Sequence, residues 1–328
     1  MSSLTAVQET TFKDLGLHAD LIRTLNNQGI TVPFPIQAAT IPDAIAGYDI
    51  LGRGQTGSGK TLAFGLALLH NIYGKRAKPH LPLALVLAPT RELAQQIDEV
   101  LHPLARSIGH DSVVIAGGMP YGKQVNALKK ATSILVATPG RLIDLLEKDE
   151  VSFEALQITV LDEADQMADM GFLPVVKQIL NQTRKGSQRM LFSATLDRGV
   201  DGLVNQYLNE PKSHSIKEIE GTKSKSDHYV FVLDHAHKAD ISNQIASREG
   251  KSIFFVRTKR GADKLSLNLA NAGVKVGTLH GGKSQAVRTR TLARFKDQES
   301  AVLVATDVAA RGIHVDDIDL VVHFDAPA

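Results

Sequence analysis

Residues 54–61 read Gly54-Gln55-Thr56-Gly57-Ser58-Gly59-Lys60-Thr61, between an apolar segment at 48–51 and an apolar helical pattern at 62–73. A glycine-rich turn that leaves a strand, enters a helix and closes on Lys-Thr fits the P-loop pattern in full. The glycines let successive backbone N–H groups converge on phosphate oxygens at a helix N-terminus. Gln55, Thr56, Gly57, Ser58 and Gly59 form that cradle. Lys60 is placed to reach the β- and γ-phosphates, and Thr61 to put its hydroxyl on Mg²⁺.

A metal held beside phosphates needs a carboxylate. Ile158-Thr159-Val160-Leu161 has the pattern of a buried strand and ends in Asp162-Glu163-Ala164-Asp165. Asp162 is the natural partner for Mg²⁺, and Glu163 is placed to activate an attacking water. By themselves these acids fit the first turn of a helix equally well, where Asp caps and complements the dipole. The P-loop upstream favours the metal.

Short runs rich in Val, Ile and Leu recur outward from these motifs. They lie at 83–88, 112–116, 134–137, 158–161 and 190–192, with helical patterns between them. Continuous apolar strands alternating with helices predict a parallel sheet covered on both faces. Residues 212–227 are rich in Lys, Ser and Glu without a period, and read as a linker. The alternation resumes at 229–233, 253–256, 274–279, 302–305 and 320–324. The prediction is two α/β domains, at 1–211 and 228–328.

The 328 residues, 43% hydrophobic, suffice for two cores. No cysteine is present, which excludes disulfides and thiol chemistry. No apolar run approaches the roughly 20 residues of a membrane span, and residues 1–11 lack an apolar signal core. A cytoplasmic protein is the expectation. Net charge is only +2, but residues 251–296 hold eleven cations against one acid, Asp263, so that block carries +10 and the remainder −8. Such a block fits either a polyanion-binding face or a solvated surface.

Asp162-Glu163-Ala164-Asp165 is the tetrapeptide that names the DEAD-box RNA helicases, and the chain resembles that family throughout. Phe12 and Pro33-Phe34-Pro35-Ile36-Gln37 resemble its adenine-recognition motif, with Phe12 to stack on the base and Gln37 to pair with its edge. Pro89-Thr90-Arg91-Glu92-Leu93-Ala94, Gly117-Gly118 and Thr138-Pro139-Gly140-Arg141 resemble RNA-backbone motifs, implying RNA contacts by Arg91, Gly118, Thr138 and Arg141. Ser193-Ala194-Thr195 resembles the motif that links nucleotide state to unwinding through the Asp165 region. Phe255-Val256-Arg257-Thr258, His280-Gly281-Gly282 and residues 305–312 resemble second-domain motifs. They imply RNA contacts by Arg257, Gly281 and Thr306, and a nucleotide contact by Asp307.

The resemblance implies two tandem RecA-like domains with parallel sheets, the second incomplete. It further implies that ATP, Mg²⁺ and RNA draw the domains together about the linker. RNA contacts should go to phosphates and 2′-hydroxyls, with little sequence read. Lys60, Asp162 and Glu163 carry hydrolysis. Gly54 stands where the family usually has Ala, and His314 where it usually has Asp. The chain closes at Ala328, before the family's His-Arg-x-Gly-Arg-x-x-Arg motif, whose arginines reach the γ-phosphate. An arginine finger contributes about 10³–10⁵ in rate, so the expectation for these residues alone is ATP binding with slow turnover. A non-hydrolysing, ATP-gated RNA clamp is the alternative, and a P-loop ATPase acting on DNA or protein is a third reading.

Overall fold

A computed structural model describes residues 10–55, 57–196, 198–215, 226–234, 237–310, 315 and 317–326. The chain divides into two compact units, Met1–Lys223 and Ser224–Ala328.

The strands of the first unit are β1 (Ile50–Arg53), β2 (Ala84–Leu87), β3 (Ser112–Ile115), β4 (Ile134–Ala137), β5 (Ile158–Leu161), β6 (Gln188–Ser193) and β7 (Lys212–Ser215). Its helices are α1 (Ala19–Asn27), α2 (Pro35–Ile45), α3 (Lys60–Ile72), α4 (Arg91–Ser107), α5 (Tyr121–Leu128), α6 (Pro139–Glu147), α7 (Ala164–Asp169), α8 (Leu173–Gln182) and α9 (Arg198–Tyr207). The strands run parallel in the order β3-β4-β2-β5-β6-β1-β7.

Successive residues of these strands serve opposite faces, which is why their apolar runs are unbroken. Ala84, Val86, Ile134, Val136, Ile158 and Val160 enter the core beneath α3 and α4. Leu85, Leu87, Leu135, Ala137 and Leu161 enter the opposite core, beneath α6 and α8. α4 shows how a helix is specified locally. The Thr90 hydroxyl caps it by accepting from the Leu93 N–H at 3.2 Å, and Ala94, Ile97, Leu101 and Leu104 recur on its buried side.

The second unit holds α10 (Lys238–Ala246), β8 (Lys251–Val256), α11 (Lys259–Asn271), β9 (Val276–Leu279), α12 (Gln285–Asp297), β10 (Ala301–Thr306), α13 (Asp307–Ala310) and β11 (Ile318–His323). Its four parallel strands lie in the order β11-β8-β10-β9. Val302 and Val304 pack on one face, Leu303 and Ala305 on the other.

Two sequence expectations need correction. Residues 212–215 are not linker. They form β7, in register with β1 from Ile50↔Lys212 to Arg53↔Ser215. An edge strand is held by backbone hydrogen bonds and tolerates polar side chains, so Lys212-Ser213-His214-Ser215 has no apolar signature. Conversely, residues 229–233 have strand-like composition, yet join no ladder among the described residues. Tyr229 is 75% and Val232 96% exposed. β-propensity measures fit to a half-buried sheet face, and without a neighbouring strand it produces none. No helix among the described residues is long and apolar enough to cross a membrane.

Candidate functional site

After β1 the chain crosses β6 and β5 to enter β2, so connections diverge to the two sides of the first sheet. Ligands bind at the carboxyl ends of strands around such a switch. The loops after β1, β5 and β6 carry the phosphate, carboxylate and Ser-Ala-Thr motifs. The loops after β2, β3 and β4, with the first turns of α4 and α6, carry Arg91, Gly118, Thr138 and Arg141.

The phosphate loop is folded around Lys60, which is buried at 6% exposure. Its ammonium donates to the Gly54 carbonyl at 2.8 Å and lies 3.6 Å from Glu163 Oε1. Gly59 caps α3 at φ +87°, a conformation open to glycine. A Cβ there would also lie 2.6 Å from Cδ2 of Phe34. The Ser58 hydroxyl donates to the Gln55 carbonyl at 2.7 Å, tightening the turn. Gly57 sits at φ +84°, and Thr61 occupies the first turn of α3. Thr56 lies outside the described residues.

Gln37 is buried. Its Oε1 accepts from the Phe34 N–H at 2.8 Å, and its Nε2 donates to the Gly59 carbonyl at 3.0 Å. The amide therefore ties the start of α2 to the phosphate loop, leaving one N–H and one lone pair for a base. Phe12 does not fit the stacking role assigned to it. It is 2% exposed and packs in the core with Leu15 and Leu17, so its ring is not presented. The exposed aromatic beside Gln37 is Phe34, at 54%. A core ring and a platform ring read alike in sequence; the clue to Phe34 is a bulky aromatic at a helix N-cap, where small polar residues are favoured.

Asp162 continues the β5 ladder, its N–H donating to the Leu87 carbonyl at 2.9 Å. The side chain is buried at 3% exposure. Burial pushes its carboxyl up to about 7, against the Lys60 ammonium, with Glu163 adding to the rise. A buried carboxylate with so little compensation fits a divalent cation, and Thr61 with Asp162 would hold Mg²⁺ alongside phosphate oxygens. Among the described residues no cluster of three His, Cys, Asp or Glu could hold a metal unaided. Glu163 adopts φ 54° and ψ 51° as the N-cap of α7. A non-glycine residue in this region is strained and persists where surrounding structure enforces it.

Asp165 and the Ser-Ala-Thr loop are brought together as the resemblance implies. Thr195 donates both its N–H and its hydroxyl to Asp165 Oδ2, at 2.9 Å each. The Asp165 N–H donates to the Ser193 hydroxyl at 3.2 Å, and that hydroxyl donates to the Thr195 carbonyl at 2.7 Å. Burial would raise the Asp165 carboxyl, but the hydrogen bonds of Thr195, Ser193 and Gln166 together outweigh it and hold it below the usual carboxylate range. The Gly54 N–H donates to the Ser193 carbonyl at 3.3 Å, joining this loop to the phosphate loop.

On the other side of the sheet the arginines converge on one loop. Arg91 Nη1 donates to the Gly117 carbonyl at 2.8 Å, and Arg141 Nη1 to that of Met119 at 3.5 Å. Gly118, at φ +74°, lies so close that a Cβ would sit 2.3 Å from Arg91 Nη1. Thr138 caps α6 next to them.

In the second unit Arg257 and Gly281 follow β8 and β9, and Thr306 ends β10, the strand between them. Arg257 is exposed and its N–H donates to Asp325 Oδ2 at 2.8 Å. Thr306 is buried at 8% exposure, and Asp307 opens α13 in the exposed position that follows. Residues 311–314, His314 included, lie outside the described residues. One contact escaped the sequence reading. Buried His280 accepts from the Gly282 N–H at Nδ1, 3.1 Å, and places Nε2 3.1 Å from Asp263 Oδ1, while Lys283 donates to the same oxygen at 2.8 Å. The lone acid of the basic block thus anchors the Gly281 loop.

The family comparison agrees with this arrangement. Residues 34–203 match the DEAD/DEAH box helicase model, and residues 236–328 match that of the helicase conserved C-terminal domain. The chain belongs to the DEAD-box helicase family. It is 40% identical over 322 residues to the mitochondrial DEAD-box ATP-dependent RNA helicase 9 of Arabidopsis thaliana, covering 96% of this chain and 52% of that protein. It is also 40% identical to the chloroplastic DEAD-box ATP-dependent RNA helicase 3B of Zea mays, covering 98% of this chain and 44% of that protein. The chain thus spans about half the length of these relatives. Among solved structures it is similar to S. cerevisiae Dbp5 bound to RNA and ADP BeF3. The TM-score is 0.82 at 29% identity, over 97% of this chain and 81% of that one. The DEAD-box family accounts for the paired carboxylate and phosphate loops, and two tandem α/β units are its architecture.

Proposed function

We propose that this chain is the core of an ATP-dependent RNA helicase, binding ATP with Mg²⁺ on its first unit and RNA on the strand-end loops of both. The observation that carries the reading is the Lys60–Glu163 approach of 3.6 Å, beside buried Asp162. It gathers a phosphate-binding cation, a metal-binding carboxylate and a base at the carboxyl end of the strands.

The base of ATP lies on Phe34 and meets the spare amide groups of Gln37. Its phosphates take the N–H groups at the start of α3 and the Lys60 ammonium, which exchanges the Gly54 carbonyl for phosphate oxygen. Thr61 and Asp162 would hold Mg²⁺, which would supply charge neutralisation to the phosphates. Glu163 takes a proton from the attacking water. Asp165, Thr195 and Ser193 bridge this site toward the loops on which Arg91, Gly118, Thr138 and Arg141 hold an RNA backbone. Arg supplies forked donors to phosphate, and glycine allows close approach. The structure of Dbp5 with RNA supports taking the polymer as RNA.

The test is ATP hydrolysis with and without single-stranded RNA, with single-stranded DNA for comparison and Glu163→Gln as the blank. RNA-stimulated turnover above the blank supports the helicase reading. Equal stimulation by DNA overturns the choice of polymer. ATP binding that survives Lys60→Ala overturns the site.

A further inference from the structure

The resemblance leaves the outer flank of the second unit without a role. There a cavity of about 220 Å³ runs between β9 and α12, from Lys275 to Lys283. Among the described residues β9 is the last strand of its sheet and pairs only with β10. The helix lies close over it: a Cβ on Gly277 would sit 2.7 Å from Cγ2 of Thr291. Lys275, Lys283 and Arg294 line the cavity with the hydroxyls of Thr278 and Thr291, and no carboxylate among the described residues lines it. Lys283 is engaged by Asp263. Lys275 and Arg294 are exposed and form no ion pair among the described residues.

We propose that this cleft is a second RNA-backbone track, continuous with the loop at Gly281. The proposal rests on the RNA reading above. Lys283 lies two residues beyond Gly281, so a strand leaving that loop meets the mouth of the cleft. The four residues of β9 rise about 13 Å, room for roughly two more backbone phosphates, and two unpaired cations wait along that length. Thr hydroxyls beside cations are donors suited to phosphate and sugar oxygens. An acidic peptide adding to the sheet edge would use the same charges. RNA is favoured because the cleft opens beside an RNA loop.

The test compares oligouridylates of six and fifteen nucleotides on the 328-residue chain with a non-hydrolysable ATP analogue. The variants are Lys275→Gln/Arg294→Gln and the milder Lys275→Gln alone, both at exposed positions. The double variant should bind the six-mer as the parent does and lose about tenfold on the fifteen-mer. Its salt slope on the fifteen-mer should fall by about 1.4, since each lost contact to a single strand removes about 0.7. The single variant should lose about half of each effect. An unchanged fifteen-mer affinity and slope, or equal losses on both oligomers, would overturn the proposal. So would an unchanged fifteen-mer with loss of binding to an oligoglutamate probe, which would assign the cleft to protein. If the parent holds neither oligomer, the RNA reading itself falls. If it holds both and the double variant matches it, only the cleft is refuted.

Discussion

Thr195 grips one oxygen of Asp165 twice, with its N–H and its hydroxyl each at 2.9 Å from Oδ2. The link joins the end of β6 to the first turn of α7, between the loops proposed to hold nucleotide and those proposed to hold RNA. Thr195→Val removes the hydroxyl and keeps the shape. A hydrogen bond to a charged group contributes about 1.5–3 kcal/mol. ATP affinity should stay within about twofold, while stimulation of ATPase by RNA should drop at least tenfold. Steady-state ATPase titrated with RNA reads both.

Lys60 and Glu163 should separate binding from chemistry. Lys60→Ala removes the cation that lies beside both acids and should abolish detectable ATP binding by calorimetry. Glu163→Gln should leave that binding in place and lower turnover by about 10²–10⁴.

Phe34 and Phe12 should fail in different ways. Base–aromatic stacking contributes about 1–3 kcal/mol, so Phe34→Ala should weaken ATP roughly tenfold without changing the affinity for tripolyphosphate. Phe12→Ala should instead cost about 3–5 kcal/mol of stability, as a buried ring does, measured by denaturant titration of the first-unit transition. The chain holds no tryptophan, so Phe34→Trp adds a lone fluorophore that adenine should quench and tripolyphosphate should not.

Gly118→Ala should damage RNA binding selectively. At φ +74° the substitution strains the backbone, and its Cβ would lie 2.3 Å from Arg91 Nη1. Strain of about 1–3 kcal/mol should appear as a five- to hundredfold weaker RNA affinity, with ATP affinity in the absence of RNA unchanged.

A pH effect on stability should come from His110. Its buried ring is satisfied in the neutral form, with Nδ1 2.8 Å from the Ser133 hydroxyl and Nε2 3.1 Å from the Ile72 carbonyl. Burial depresses its pKa, the contact with Ile72 partly opposing this. The unfolded chain therefore takes up this proton before the folded one. The stabilisation is complete above the ordinary histidine pKa of about 6.5 and is lost as pH falls through the depressed value. His110→Gln should melt lower at pH 7.5 and lose less between pH 7.5 and 5.5. Thermal melts across that interval would show it.

Much of this was legible in the residues. Continuous apolar runs revealed β2 to β6, because strands covered on both faces cannot alternate. The turn after β1 exposed the phosphate loop, because few other backbones need that spacing of Gly and Lys. β7 stayed hidden because backbone pairing at an edge leaves no mark on side chains. Residues 229–233 misled because their composition suits a neighbouring strand that is absent among the described residues. Phe12 reads as a presented ring and is a core one, because ring burial depends on packing that no local pattern records. The His280–Asp263 contact spans 17 positions, beyond the reach of any helical or strand period.

β7 carries a mechanical consequence. Among the described residues it pairs only with β1, and the pair Arg53↔Ser215 adjoins Gly54, where the phosphate loop begins. Tension applied to the chain beyond Ser215 would peel the ladder from that end, reaching the rungs beside Gly54 before any others. The first unit is therefore built so that a pull from its C-terminal side is felt first at the phosphate loop, and ATP, if held there as proposed, should raise the force at which this strand detaches.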